Sequence, residues 1–555
     1  MPYLFVLLSC LLTLTAFSTQ RYNVILIMTD DQGYGDYSFM GNPILETPHL
    51  DKLANESVLF KRFYVNAVCT PTRASLFTGR SSYRTGVTDT WIGRSIMKSE
   101  EYTLAEAFKD NQYSTGLFGK WHLGDCYPYR AMDQGFDYSL IHRGGGLGQP
   151  ADHPENNRAY TNSMLYRNEV AFRSEGFCTD VFFREARKWI SEKVENNKPF
   201  FACIMPNAPH SPFHDVPADL LKKYKNADWS QHKGSDKDKV AAIYAMVENI
   251  DQNIADLRDE LKKLNIDKKT IILFSSDNGG WGERFDAGLR GSKSSSFEGG
   301  VLSPLMLFVP GQASKQSTEA IAHYDVLPTL VDLCDLKVDF PNELDGRSFL
   351  PILSGESLPE RSIILQSHRG TKPEYMRNSA LIQGEWKLVS PDAKTLPKLF
   401  NLSSDAGELQ DVSSKYPEKL KSLVADYDQW FKIVKQQANK PCAIIATKHE
   451  VFTTLTRQDW VNMQGQGGWL SDKVNGEWLV EVKEDKEFEI SFRTKAIFKQ
   501  ASLLINDKKI QTIDFRNQAQ HYFKGIHLKP GLKTIKITYS HSSAGPWQVD
   551  IHSLE

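Results

Sequence analysis

The chain has 555 residues, too many for one ordinary hydrophobic core, so one large domain with an appendage, or two to three domains, is expected. A hydrophobic content of 41% and a charged content of 24% fit a soluble globular protein. With 66 Lys+Arg against 68 Asp+Glu the formal charge is -2, which removes any electrostatic reason to expect nucleic acid as a partner; an anionic ligand must be met by a local cluster of charge.

Leu4 to Phe17 is an apolar stretch broken only by small or hydroxyl residues, and Ala16-Phe17-Ser18 follows as a small-x-small cleavage site, so residues 1–19 read as a signal peptide. Leu8-Ser9-Cys10 resembles a lipid-attachment site, but cutting there leaves a very short hydrophobic region. No later run approaches the ~20 apolar residues that span a bilayer. A secreted or periplasmic protein with no transmembrane segment is expected. Seven cysteines (Cys10, Cys69, Cys126, Cys178, Cys203, Cys334 and Cys442) are too sparse for a disulfide framework, and most read as buried apolar filler.

Between residues 20 and 330, short apolar or β-branched runs at Asn23–Met28, Tyr113–Phe118, Pro199–Met205, Thr270–Phe274 and Leu305–Val309 end in loops rich in Asp, Gly and His. Helical patterns lie between them, the clearest at Val240–Leu264. This alternation predicts an α/β fold with a largely parallel sheet, whose ligands gather beyond the carboxyl ends of the strands. Residues 331–437 predict a smaller C-terminal α+β subdomain, with a turn at Gln383-Gly384-Glu385 and a helix from Pro417 to about Gln437. From 442 to 555 apolar and polar residues alternate, as in Glu477–Val482, Glu487–Phe492, Ala501–Ile505 and Thr534–Tyr539, and predict a separate accessory β-sandwich. Its Trp460, Trp469, Trp478 and Trp547 read as packing residues before they read as a sugar platform.

The polar loops carry three constellations. Asp30-Asp31 follows the first run and Asp277-Asn278 the fourth. One such segment alone is an ordinary turn, but hard oxygen donors without Cys or His suit Ca²⁺ or Mg²⁺ better than zinc. Cys69-Thr70-Pro71-Thr72-Arg73 continues into Ala74-Ser75-Leu76-Phe77-Thr78-Gly79-Arg80; a helix beginning near Thr72 would let Arg73 reach back toward residue 69. The basic segments are Gly119-Lys120-Trp121-His122-Leu123-Gly124, Ala208-Pro209-His210-Ser211-Pro212-Phe213 and Leu289-Arg290-Gly291-Ser292-Lys293. His210 and His214 do not form a zinc-helix motif, because Pro209 and Pro212 argue against a regular helix and no Glu lies between the histidines. Gly144–Gly148 lacks the Gly-Lys-Ser/Thr of a phosphate loop and reads as a tightly turned pocket loop, with His142 and Arg143 beside it as candidate sugar contacts.

The extended segment at Cys69 resembles the signature of type I, formylglycine-dependent sulfatases, and the acidic and basic segments resemble their companion motifs from about Tyr22 to Gln437. The resemblance implies an alkaline-phosphatase-like α/β fold and a sulfuric ester hydrolase. Cys69 would be oxidised to formylglycine (3-oxoalanine) by a formylglycine-generating enzyme, and the reaction would pass through a formylglycine-sulfate ester. It implies one Ca²⁺, with Mg²⁺ as the alternative, on Asp30, Asp31, Asp277, Asn278 and the modified Cys69. Lys120 and Lys293 would neutralise sulfate oxygens, with Arg73 near the diol. His122 would take the diol proton, and His210, helped by Lys293, would protonate the leaving oxygen.

Gly119–Asp125, Asp133-Gln134-Gly135-Phe136 and Ile141–Gln149 look most like bacterial polysaccharide sulfatases, some of which remove 4-sulfate from galactose or N-acetylgalactosamine. An arylsulfatase-like serine after the Gly-Phe segment is not evident, and the Gly-rich loop stands in its place. A sulfated carbohydrate is thus the expected substrate, with a phosphodiesterase or phosphonate hydrolase, and a carbohydrate-binding scaffold, as competing readings.

Overall fold

A computed structural model describes residues 21–554 apart from 233, 235, 369–371, 438–440, 466–470, 472, 495–497, 515–519, 541 and 543. The expected signal peptide and Trp469 lie outside the described residues.

The N-terminal unit is built on an 11-stranded sheet. Its strands are β1 (Asn23–Thr29), β2 (Val58–Tyr64), β3 (Ser114–Lys120), β4 (Tyr138–His142), β5 (Met164–Arg167), β6 (Val170–Arg173), β7 (Phe200–Met205), β8 (Thr270–Ser276), β9 (Leu302–Phe308), β10 (Lys315–Ser317) and β11 (Ile321–Ala322). They run in the order β10-β2-β9-β8-β1-β7-β3-β4-β5-β6, with β11 also on β2. The central block β8-β1-β7-β3-β4 is parallel throughout. Strands β1, β7 and β8 are buried along their whole length, as the continuous apolar runs at their centres require when helices cover both faces. One covering helix, Lys237–Lys263, begins three residues before the periodic pattern does, because Asp236 caps it by accepting from the Lys239 amide.

The sheet is less uniformly parallel than the alternation predicts. Strand β9 runs antiparallel between β2 and β8, and the pair β5–β6 returns antiparallel on β4. The physical reason is connectivity: only the irregular segment 277–297 and one short helical turn separate β8 from β9, which is no covering crossover helix, so the chain turns back.

A 4-stranded antiparallel sheet spans Ile363–Gln366 to Lys398–Asn401, and Gly384 turns between its second and third strands. The helix Pro417–Val434 packs Leu423 and Tyr427 against Leu381, Leu388 and Leu399 of that sheet. Residues 443–553 form two further sheets, of six and four strands, which share one core. That core includes Trp91, Ile92, Ile96, Cys126 and Tyr129 from the N-terminal unit, so the C-terminal sheets are fused to it through apolar contact. Trp460 and Trp478 are fully buried in it.

The six described cysteines are all unpaired thiols. Among the described residues no helix is long and apolar enough to cross a membrane.

Candidate active site

Four adjacent parallel strands, β8, β1, β7 and β3, deliver polar side chains from their carboxyl ends to one place. Asp277 and Asn278 follow β8, Asp30 and Asp31 follow β1, His210 follows β7, and Lys120 closes β3 with His122 just beyond it. The loop ends are tied together by backbone bonds, Asp30 N–H to the Ala208 carbonyl (3.2 Å) and Asp277 N–H to the Thr29 carbonyl (3.1 Å). Asp31 and His122 hold positive φ angles of 65° and 62°, a strained backbone for residues with a Cβ, which aims their side chains into the cluster.

Cys69 enters from β2 as the first residue of a ten-residue helix, Cys69–Thr78, all of which is buried. The helix begins three residues earlier than the sequence predicts. The chain enters it extended at Val68, Thr72 accepts the Asn66 amide through its hydroxyl (2.9 Å), and Gly79 in the left-handed conformation stops it. Arg73 therefore sits one turn below Cys69. Its guanidinium donates twice to Asp277 Oδ2 (2.8 and 3.0 Å) and once to the Lys120 carbonyl (2.7 Å).

Lys120 Nζ lies 2.7 Å from Asp30 Oδ2, and Lys293 Nζ 2.6 Å from Asp31 Oδ1. Burial alone would raise the Asp30 pKa, but Lys120, then His210 and Lys293, hold it well below the usual carboxylate range. Asp277 goes the other way, up to about 7, through burial and the neighbouring Asp30 charge. His122 Nδ1 is 3.7 Å from Cys69 Sγ and 3.0 Å from Thr70 Oγ1, while its Nε2 is 3.0 Å from the Thr90 carbonyl. Donation to Thr90 assigns the proton to Nε2 and leaves the Nδ1 lone pair facing Cys69. Burial first, then Lys120 and Arg73, push the His122 pKa well below that of free imidazole. His210 Nδ1 meets the Ser211 carbonyl at 2.7 Å and its Nε2 lies 3.8 Å from Asp31; burial, then Lys293, lowers its pKa too.

The residues fit a divalent cation. Oxygen or sulfur atoms of Asp30, Cys69 and Asp277 lie within 4.8 Å of one another. Asp30 Oδ1 and Asn278 Oδ1 are buried without a hydrogen-bond partner, as donors reserved for an ion would be. Asp30, Asp31 and Asp277 are each ion-paired to one of Lys120, Lys293 and Arg73, so the cluster is near neutral and an added dication leaves positive charge for an anion.

The Gly-rich loop covers this cluster. A Cβ at Gly145 would come within 2.8 Å of His122 Cε1, and one at Gly146 within 3.5 Å of His210 Cε1, so glycine lets the loop lie against both imidazoles. His142, hydrogen-bond paired along the sheet with Lys120, is fully buried, and its pKa is lowered to about 3 by burial and then Lys120. Arg143 is engaged by Glu169 (3.2 Å) and stacks on Tyr166 (4.2 Å). His214 is exposed and outside the cluster.

Sequence reasoning missed Thr70, Thr90 and Gln458. Gln458 reaches in from the C-terminal sheets, donating to the Thr90 carbonyl (3.1 Å) and to Ser95 Oγ. Thr70 is adjacent to the cysteine and so was within reach of local reading; Gln458, 336 residues from His122, carries no local signal.

Fold and site together define a hydrolase of the alkaline-phosphatase-like class that handles a tetrahedral anion. The family profile described as Sulfatase matches residues 22–336, and the chain belongs to the sulfatase family, making it a sulfuric ester hydrolase. It is 30% identical over 465 residues to the N-acetylgalactosamine-6-sulfatase of Sus scrofa, covering 73% of this chain and 84% of that protein. It is 29% identical to the Mus musculus N-acetylgalactosamine-6-sulfatase over 397 residues, covering 65% and 71% of the two chains. Among solved structures it resembles that of Ps i-CgsB in complex with k-i-k-neocarrahexaose, with a TM-score of 0.67 and 27% identity, covering 76% of this chain and 94% of that one. Sulfatases generally use formylglycine and a divalent metal.

Proposed function

We propose that this sulfatase hydrolyses sulfate esters on a sulfated carbohydrate built from galactose or N-acetylgalactosamine units, acting outside the cytoplasm. The observation that carries the reading is the convergence of Lys120, Lys293, Arg73, His122 and His210 on Cys69 and three carboxylates. The names of the curated relatives and the oligosaccharide in the Ps i-CgsB structure support the sugar.

Oxidised to formylglycine by a generating enzyme, Cys69 would supply a hydrated aldehyde, one oxygen attacking sulfur and the other later releasing sulfate. Asp30, Asp31, Asp277, Asn278 and residue 69 would hold Ca²⁺, or Mg²⁺ in its place, which adds positive charge and acidifies the diol. Lys120 and Lys293 bind and orient the sulfate oxygens, and Arg73 fixes Asp277 while adding charge at the helix start. Burial and then Lys120 favour the neutral form of His122, whose Nδ1 lone pair is shared between the Thr70 hydroxyl and residue 69 and accepts the proton there. His210 lies on the leaving-group side with Lys293. Its depressed pKa belongs to the site without sulfate; a bound anion raises it again and lets Nε2 give a proton to the departing oxygen. His142 and Arg143, expected as sugar contacts, are instead proposed to stand behind the sugar site, because His142 is fully buried and Arg143 is held by Glu169 and Tyr166.

The test is a panel of sulfated mono- and oligosaccharides with sulfate at the 2, 3, 4 or 6 position, run beside an aryl sulfate and an aryl phosphate diester. Release of sulfate from a galactose or N-acetylgalactosamine unit, lost in Cys69→Ala, is the expected result. Faster turnover of the phosphate diester would instead favour the phosphodiesterase reading.

A further inference from the structure

A cavity of about 200 Å³ opens where the Gly-rich loop meets the C-terminal sheets. From the catalytic unit it is lined by Gly148, Asp152 and Arg158, and from the C-terminal sheets by Arg493, Trp547 and Gln548. Gly146 lies against His210, and two residues later Gly148 forms the cavity wall, so the two sites are separated by about 7 Å of loop. The loop has no room to be anything but glycine at this junction: a Cβ on Gly148, whose φ is 69°, would fall 2.2 Å from the Arg158 amide nitrogen.

The lining holds unused polar capacity. Neither Arg158 nor Arg493 is ion-paired to a carboxylate among the described residues, and the Arg493 Nε is buried with no hydrogen-bond partner. Asp152 is 4% exposed, and only its Oδ2 is engaged, by the Gly148 amide (2.8 Å) and Asn156 Nδ2 (2.6 Å); its Oδ1 is buried and unpartnered. Burial raises the Asp152 pKa to about 7, so this acid opposes an incoming anion weakly and can donate or accept toward a hydroxyl. Trp547 adds an aromatic surface, with the Arg457 guanidinium 5.3 Å from its ring.

We infer that this cavity is a second binding subsite, in which Arg158 and Arg493 hold another anionic group, a sulfate ester or a carboxylate, on the same glycan whose sulfate is being removed. Two guanidiniums with open forks match the planar, multidentate geometry of those anions. Asp152 takes a sugar hydroxyl and Trp547 a sugar face. The C-terminal sheets thus set which polyanionic oligosaccharides are preferred, a role that rests on the proposed carbohydrate substrate and goes beyond it.

The experiment uses the full-length mature enzyme with Arg493→Ala and Arg158→Ala, each checked for an unchanged melting temperature. Steady-state kinetics are compared on an aryl sulfate and on tetrasaccharides carrying one sulfate, two sulfates, or one sulfate and one carboxylate; each tetrasaccharide is also tested as a competitor of aryl sulfate hydrolysis. In the wild type the second anion is expected to lower KM, or the inhibition constant, about tenfold. Either variant should erase that gain while leaving aryl sulfate turnover within about twofold. Which doubly charged sugar benefits separates sulfate from carboxylate as the group bound. A wild-type enzyme indifferent to the second anion, or variants that lose equally on all substrates, would overturn the subsite while leaving the sulfatase reading intact. Failure to hydrolyse the aryl sulfate as well would reject both.

Discussion

Gln458 and His122 share one hydrogen-bond acceptor, the carbonyl of Thr90. Gln458 Nε2 donates to it at 3.1 Å, His122 Nε2 at 3.0 Å, and the two nitrogens stand 3.5 Å apart. Gly93 N–H returns a bond to the Gln458 carbonyl (2.6 Å), so the 90–95 loop is pinned to the C-terminal sheets from both sides. The imidazole that faces Cys69 is therefore oriented by a residue from the far end of the chain.

From this relationship, Gln458→Ala is expected to lower kcat about tenfold with KM for an aryl sulfate nearly unchanged, because the Thr90 carbonyl loses one of the donors that fix it. The acidic limb of the kcat–pH profile should shift with it. A variant with normal kcat and an unmoved profile would show that His122 is held by other means.

Removing the C-terminal sheets after Gln437 should cost folding as well as activity. Trp91, Ile92, Ile96, Cys126 and Tyr129 would be stripped of their apolar partners, leaving an exposed patch on the catalytic unit. Expression of residues 21–437 is expected to give mostly insoluble protein, measured as the soluble fraction beside full-length chain. A soluble, fully active fragment would contradict this.

Arg73→Ala should be among the most damaging single changes. Both Arg73 and Asp277 are fully buried, and truncating one leaves an unpaired charge, a loss of about 3–5 kcal/mol by denaturant melts. Arg73→Lys keeps the charge but not the forked contact, and should recover part of the stability without restoring full activity.

Dialysis against a chelator is expected to abolish turnover and lower the melting temperature, since an ion bound only by the folded chain stabilises it. Added Ca²⁺ or Mg²⁺ should restore both, and elemental analysis of the untreated protein identifies which. Retention of full activity in metal-free protein would remove the cation from the scheme.

Stability should also respond to pH through Asp125, which is buried beside the C-terminal sheets and whose pKa burial raises to about 8. In the unfolded chain the value is about 3.9. The folded state then binds the extra proton, so this group's contribution is complete below about pH 4 and is lost as pH rises toward 8. Asp125→Asn, which can still accept the Gly144 amide bond, should flatten the fall in melting temperature between pH 5 and pH 8. Identical slopes for the two proteins would reject the assignment.

Much of the site was legible because its residues sit at strand ends. Asp30, Asp277, Lys120 and His210 each follow an apolar run, and the parallel block β8-β1-β7-β3 brings those ends together without further information. The sequence puts the start of the Cys69 helix too late, because the periodic pattern gives no sign that buried Thr70 and Pro71 already belong to its first turn. The reversal of β9 and the intrusion of Gln458 depend on contacts hundreds of residues apart, where local sequence carries no weight.

Cys69 is 2% exposed, locked in the first turn of a helix with no exposed residue. A maturing enzyme of the kind proposed would have no approach to its sulfur once that turn closes, so the proposed oxidation would have a deadline set by the chain's own collapse. On that proposal, protein made without the maturing enzyme at hand would stay in the thiol form, and adding the enzyme to the purified product would come too late.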